Sequence, residues 1–285
     1  MTAIAMPTPS GPTSTGPASG ALRPAPRTTS IVTSTAQVAK RALLRYFRTP
    51  QLVVLGTLQG ALFLLIFRYV FGGAVDIHGA SYVNFLVPGF VTTGVLFTGQ
   101  GAATGVADDL QQGFVDRLRS LPVPRSSFLV GRAMADTVWC AWGLLTAIAV
   151  GLAVGFRPHG SALGDLAALG LCVVFGFAFE WLFLVVGLFA GTPQAAQGMA
   201  FLVFPLTFVS SAYVPVSTMP GWLQAFAQHQ PITYMVDAVR ALTLGPTSAA
   251  TLGHTAGYFT FWSLIWAAGI VAVFAPIAAA KYARA

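Results

Sequence analysis

Carboxylates, histidines and cysteines are where a chain most readily does chemistry, and here they are few. Glu180 stands out because it lies near the middle of a long apolar segment, between Phe179 and Trp181. A charge at the centre of a bilayer costs about 3 kcal/mol on insertion scales, so Glu180 must face protein, water or a partner, or carry a proton. It suits either a polar contact in a transport path, a proton-linked switch included, or a structural hydrogen bond to another helix.

The densest polar interval runs from Asp108 to Arg132, DDLQQGFVDRLRSLPVPRSSFLVGR, in a chain of which only 8% is charged. Arg117, Arg119, Arg125 and Arg132 cluster there. Phe114, Val115, Leu118 and Leu121 fall at i, i+1, i+4 and i+7 and form one apolar stripe, with Asp116, Arg117 and Arg119 largely off it. Pro122 and Pro124 stop the helix. Such a helix either rests on the membrane or offers itself to the groove of a soluble partner. Asp136 lies one turn beyond Arg132 and is placed to pair with it.

Several chemistries are excluded. A P-loop needs a lysine after a Gly-rich turn, and neither Lys40 nor Lys281 follows one. The Gly-rich piece Gly99–Gly105 lies within an apolar span and is not a dinucleotide fingerprint. HExxH, CxxC and GxSxG are absent, and His78, His159, His229 and His254 are scattered, so neither a metal site nor a catalytic set is expected. Cys140 and Cys172 both fall in apolar segments, as small packing residues do. The net charge of +7 sits beside apolar spans, where phospholipid headgroups attract it, which argues against nucleic acid.

The elements that must position these residues are membrane helices. A hydrophobic fraction of 55% and a mean hydropathy of +0.73 exceed what a soluble domain carries. About 20 apolar residues span the hydrocarbon core as a helix. Six segments are predicted to do so: Leu52–Phe71, Tyr82–Ala107, Ala133–Phe156, Leu163–Ala190, Gln197–Val216 and Tyr258–Ala280. Pro88, Pro205 and Pro276 fall inside spans and predict kinks. GxxxG pairs at Gly56/Gly60, Gly101/Gly105, Gly151/Gly155 and Gly187/Gly191 are no more than chance supplies at this glycine content.

An even number of spans puts both termini on one side, and the basic residues choose it. With the termini in the cytosol, Arg23, Arg27, Lys40, Arg41, Arg45, Arg48, Arg117, Arg119, Arg125, Arg132, Lys281 and Arg284 lie inside, leaving Arg68, Arg157 and Arg240 elsewhere. Residues 1–34, rich in Pro, Ser and Thr and without a signal-peptide core, are predicted to be a disordered cytosolic tail. Residues 35–50 form either an interfacial helix or a plain basic flank; Ala39, Leu43, Tyr46 and Phe47 share one side, and Lys40, Arg41, Arg45 and Arg48 the other. The rest, 51–285, is one membrane domain. Its outer interval 217–255 is semi-apolar, and Pro220 and Pro231 predict two short helices in which Asp237 and Arg240 can pair.

Two stretches resemble the permease subunits of ABC-2 type transporters, in particular the daunorubicin-resistance branch that exports antibiotics. One is Asp109–Ser126 followed by Gly131, Arg132 and Asp136; the other is Pro205–Pro215, then Met219–Gln224 and Pro231–Leu242. The resemblance covers about residues 35 to 280. It implies an all-α integral membrane protein with the ABC-2, type V exporter-like permease fold: six transmembrane helices, an N-terminal interfacial helix, a cytosolic coupling helix and outer re-entrant helices before the last span.

It also implies a membrane subunit of an ATP-driven exporter in the bacterial cell membrane, moving hydrophobic drugs or lipids. The subunit would be no enzyme and bind no cofactor, ATP and Mg being held by a separate P-loop ATPase. A second permease half, the same chain or a related one, completes the pore. The coupling loop 108–132 would dock on the ATPase through Asp109, Gly113, Phe114, Asp116, Arg117, Leu118, Arg119, Pro122 and Arg125. Where many relatives begin this loop with a Glu-rich run, this chain has Asp108-Asp109-Leu-Gln-Gln. By analogy Asn84, Phe97, Gln100, Phe201, Phe204 and Phe208 line the cargo route. Glu180 lies outside both stretches and receives no role. Two rival readings remain, an ion-coupled secondary transporter using Glu180 and a membrane enzyme, for which no cluster of acids or histidines is present.

Overall fold

A computed structural model describes residues 31–48, 50–72, 81–119, 126–246 and 252–284. Every regular element among them is helical. Most of the predicted tail, all of residues 73–80 and the loop 120–125 with Pro122 and Arg125 lie outside the described residues, as do the side chains of Asp116, Leu118 and Arg119.

Helix α1 (Ile31–Phe47) is followed by α2 (Pro50–Ile66), which widens into a π turn at Phe67–Phe71. Then come α3 (Tyr82–Gln111), the short α4 (Phe114–Arg119), α5 (Ser126–Ala153) and α6 (Ala162–Ala190). A broken stretch follows: α7 (Pro193–Ala200), a 3₁₀ turn at Phe201–Val203, and α8 (Phe204–Phe208). Helices α9 (Gly221–Ala227) and α10 (Pro231–Leu244) precede the last, α11 (Ala256–Arg284).

The boundaries have local causes. Ser161 Oγ accepts from Gly164 N at 3.0 Å to cap α6, which ends at Gly191 in the left-handed region. Thr192 Oγ1 accepts from Ala195 N at 3.2 Å and caps α7, with Pro193 in its first turn. Pro231 likewise opens α10 and Pro220 precedes α9, so the two predicted outer helices are present.

Among the described residues, five helical segments are long and apolar enough to cross a membrane: Val54–Phe71, Tyr82–Gln111, Ser127–Ala153, Ala162–Ala190 and Ala256–Ala283. The predicted fifth span, Gln197–Val216, is not one helix. Pro205 has no N–H to give, and after Phe208 the chain leaves the helix for turns. Apolar composition alone registers length and not this break.

Helices α3 and α6 form the centre. They pack on each other; α3 also meets α5, α7 and α10, and α6 meets α5, α10 and α11. Their contact is close, since a Cβ on Gly187 would stand 2.5 Å from Ala103 O. Within the GxxxG pairs the glycines act singly: Gly187 meets α3 while Gly191 is a cap, and Gly105 is tightly packed while Gly101 faces open space. In α3, 72% of the apolar span is buried against protein, but in α2 only 6%, so α2 is greasy all round and most of its surface is left for lipid or another chain.

Candidate functional site

Two buried polar clusters occupy opposite ends of the bundle. At one end gather the end of α3, the start of α5, α4, α1 and the end of α11. Arg132 Nε donates to Asp136 Oδ2 at 2.7 Å, the pairing that the i, i+4 spacing predicts. Arg132 Nη1 donates to Asp109 Oδ2 at 3.1 Å, which ties α5 to α3. On the other side Arg41 Nη2 reaches Asp109 Oδ1 at 3.4 Å, and its guanidinium carbon lies 3.5 Å from the centre of the Phe114 ring. Asp109, Arg132 and Asp136 are buried, and Arg41 is half exposed. Gly105 makes room for this cluster: a Cβ there would meet Arg132 Nη2 at 2.0 Å.

The hairpin between α3 and α5 is therefore held from within. Val115 is buried and Phe114 partly so, packed with Phe128, whose ring stacks on Tyr282 at 5.3 Å. As far as it is described, the apolar stripe of α4 faces the protein's own core. Gln111, Gln112 and Arg117 are exposed, and Gly113 adopts φ +67° at the corner. The described outward residues of the hairpin are polar, and Asp109 is buried away from them. Helix α1 also differs from a helix merely resting on lipid: it packs along α5, where a Cβ on Gly131 would lie 2.7 Å from Thr35 O.

The second cluster joins α10 to α3 and to the turn after α8. Arg240 Nη1 donates to Asp237 Oδ1 at 2.7 Å, and Ser211 Oγ donates to the same oxygen at 2.7 Å. Arg240 Nε and Nη2 donate to Phe85 O at 3.3 and 3.0 Å, and Nη2 also to Ser211 O at 2.9 Å. Burial pushes the Asp237 carboxyl up, opposed by Arg240 and Ser211, and pushes the Arg240 guanidinium down to about 10, opposed by Asp237. Gln230 Nε2 donates to Leu206 O at 3.3 Å and to Val209 O. The predicted Asp237–Arg240 pair is present; Ser211 and Gln230 carried no signal in the sequence.

Between the ends runs a series of aromatic rings. Phe204 has Phe201 at 4.9 Å, Phe208 at 5.0 Å and Phe97 at 5.4 Å between centroids. Phe208 meets Tyr213 at 5.0 Å, and Tyr213 stacks on Phe67 of the π turn at 4.9 Å. Four of the six residues expected along a cargo route are thus brought together. Gln100, one turn beyond Phe97 on α3, is partly exposed, whereas Asn84 stands apart at the start of α3, where Oδ1 accepts from Arg157 N at 3.2 Å. Glu180 is buried with Oε2 unpartnered among the described residues, within electrostatic range of Asp136 and Arg132.

The profile of the ABC-2 type transporter family matches residues 33–244. The daunorubicin resistance ABC transporter permease protein DrrB1 of Streptomyces coeruleorubidus is 33% identical over 280 residues, 94% of this chain and 95% of that one. The probable doxorubicin resistance ABC transporter permease protein DrrC of Mycobacterium tuberculosis is 29% identical over 261 residues, 90% of each chain. The inner membrane transport permease YadH of Escherichia coli is 28% identical over 218 residues, 72% of this chain and 83% of that one.

Proposed function

The chain belongs to the ABC-2 type transporter family, a multi-pass membrane permease subunit, and from that premise we propose that it is the membrane half of an ATP-driven exporter of hydrophobic drugs or lipids. A separate P-loop ATPase holds ATP and Mg and docks on the hairpin between α3 and α5. The observation that carries this reading is the build of that hairpin: its apolar side is anchored in the core while Gln111, Gln112 and Arg117 face outward. A polar surface held by buried charges suits a soluble partner better than a lipid surface does.

Force applied to the hairpin has a defined route. The Asp109–Arg132–Asp136 series links α3 to α5, and Arg41 adds α1, so these three helices receive a push as one body. ATP-driven closure of the partner then shifts α3 relative to the broken α7–α8 stretch. The two arrangements must differ in affinity for cargo, since ATP can drive nothing otherwise. Phe97, Phe201, Phe204 and Phe208 supply an aromatic surface for that cargo at the α3–α8 junction. The names of two relatives, which refer to daunorubicin and doxorubicin resistance, support a drug as cargo.

In this reading the α7–α8 stretch crosses the bilayer in broken form as the fifth of six spans, which places both termini in the cytosol of a bacterial cell. The exposed face of α2 meets a second permease half, the same chain or a related one. The test is co-reconstitution with the co-purifying ATPase in proteoliposomes, with daunorubicin as test cargo. ATP-dependent movement of the drug is expected; movement driven by an ion gradient without ATP contradicts the reading.

A further inference from the structure

Glu180 is a buried carboxyl that the exporter reading leaves unused. It lies on α6 ten residues before Ala190, about 15 Å from that end of the helix. On α5, Arg132, Asp136 and Cys140 are spaced four apart and share one face. That face meets α6 here: a Cβ on Gly176, one turn before Glu180, would stand 2.9 Å from Cys140 Sγ. All three α5 residues are within electrostatic range of the Glu180 carboxyl.

The groups that could hold a charge there are engaged elsewhere. Arg132 serves Asp136 at 2.7 Å and Asp109 at 3.1 Å. Trp181, the next residue, has its own Nε1 buried without an acceptor, so the indole gives Glu180 no bond. Helix α3 presents Gly99, Ala103 and Val106 to α6; its Asp109 reaches the site only through Arg132, and Asp108 is bonded to Gln112. On α11, Lys281 sits over the Phe189 ring, nine residues beyond Glu180 on α6, and Tyr282 stacks on Phe128. Helix α7 carries no titratable residue, and the Asp237–Arg240 pair of α10 belongs to the opposite end of the bundle. Glu180 Oε2 is thus buried without a partner among the described residues. A carboxylate with no donor in such a place neutralises rather than stays charged. A third carboxylate on one guanidinium would also repel Asp136.

We propose that Glu180 is a proton-binding site that sets how firmly Arg132 holds the hairpin between α3 and α5. With the proton on, the side chain draws nothing from Arg132, and the Asp109–Arg132–Asp136 series stays closed. As the pH rises, the carboxyl gives its proton to water at the hairpin end, where Arg41 is half exposed. The carboxylate left behind competes with Asp109 for Arg132 and loosens α3 from α5. Coupling to the ATPase therefore falls on the alkaline side. That effect rests on the exporter reading above; the proton itself does not.

The test is infrared spectroscopy of the full transporter in proteoliposomes as the pH is raised, beside Glu180→Gln. A carboxylic-acid carbonyl band is expected at neutral pH in the parent, fading as the pH rises and missing from the variant. Over the same range the ratio of daunorubicin-stimulated to basal ATP hydrolysis should drop several-fold in the parent. It should stay nearly flat in Glu180→Gln, whose side chain is neutral at every pH. A purely structural Glu180 would alter stability but not the shape of this profile. No acid band from Glu180 at neutral pH, or one profile shared by parent and variant, overturns the proposal. If the variant fails to fold, the parent decides alone: coupling that falls while the band persists overturns it. A neutral Glu180 in a complex whose ATP hydrolysis never responds to drug overturns the exporter reading and the effect on coupling, while the proton site stands.

Discussion

Asp109 and Arg132, 23 residues apart in sequence, meet at 3.1 Å and close the hairpin between α3 and α5. Because Asp136 and Arg41 join the same contact, the corner is held by charges from three helices. Arg132→Ala would leave two buried carboxylates without their shared guanidinium. Removing one partner of a buried pair costs about 3–5 kcal/mol, so thermal melting in nanodiscs should fall steeply. Arg41 is half exposed, and its loss should cost about 1 kcal/mol or less. Arg41→Ala should therefore stay folded yet weaken drug-stimulated ATP hydrolysis by the complex, because α1 is no longer tied to the hairpin.

Of the three glycines of α3 in close contact, Gly89 and Gly105 meet obstacles of different kinds. At Gly105 the obstacle to a Cβ is the tip of the Arg132 side chain, and at Gly89 it is the Ala212 backbone. The obstacle must give by more than an ångström in each case, and a side-chain tip, even one fixed by two aspartates, does so more readily than a backbone carbonyl. Gly105→Ala should cost about 1 kcal/mol and Gly89→Ala nearer 3, within the range for overpacked cores. Melting temperatures of the two variants, measured side by side, check the order.

Phe204 touches three other rings, whereas Phe201 is 55% exposed and its ring meets that of Phe204. An aromatic pair is worth about 0.5–1.5 kcal/mol beyond burial, so Phe204→Ala should be the more destabilising change. If the rings form the cargo surface, Phe201→Ala should leave melting nearly unchanged and reduce drug export several-fold. Equal export by Phe201→Ala and the parent would remove Phe201 from the route.

Glu180→Gln separates the carrier reading from the structural one. Oε2 has no hydrogen-bond partner among the described residues, so the amide should be accepted with little loss of stability. An ATP-driven exporter should retain most of its transport in this variant. An ion-coupled carrier built on Glu180 would lose gradient-driven transport completely, which a proteoliposome flux assay would detect.

How much of this was legible in the sequence depends on the range of the interaction. Five spans follow from apolar length, Asp136 and Arg240 find their partners at helical spacing, and Pro220 and Pro231 mark the starts of α9 and α10. All of these are local signals. Arg41 lies 68 residues from Asp109, and on α1 it read as one more headgroup-facing cation; no spacing rule joins the two. Phe114 and Val115 were correctly placed on one stripe, but periodicity does not say whether a stripe faces a partner or the protein's own core. The break after Phe208 was hidden because hydropathy counts apolar residues and not backbone donors. The side chains that supply those donors, Gln230 and Arg240, lie more than twenty residues further on.

The most direct test of the account is purification of the tagged chain from its native membrane, beside an Arg117→Glu variant. Mass spectrometry should identify a stoichiometric P-loop ATPase with the parent chain. It should be lost from Arg117→Glu while that variant stays folded and monodisperse, since Arg117 is exposed on α4. Purification of the parent without any ATPase, together with drug transport that needs no ATP, would contradict the account.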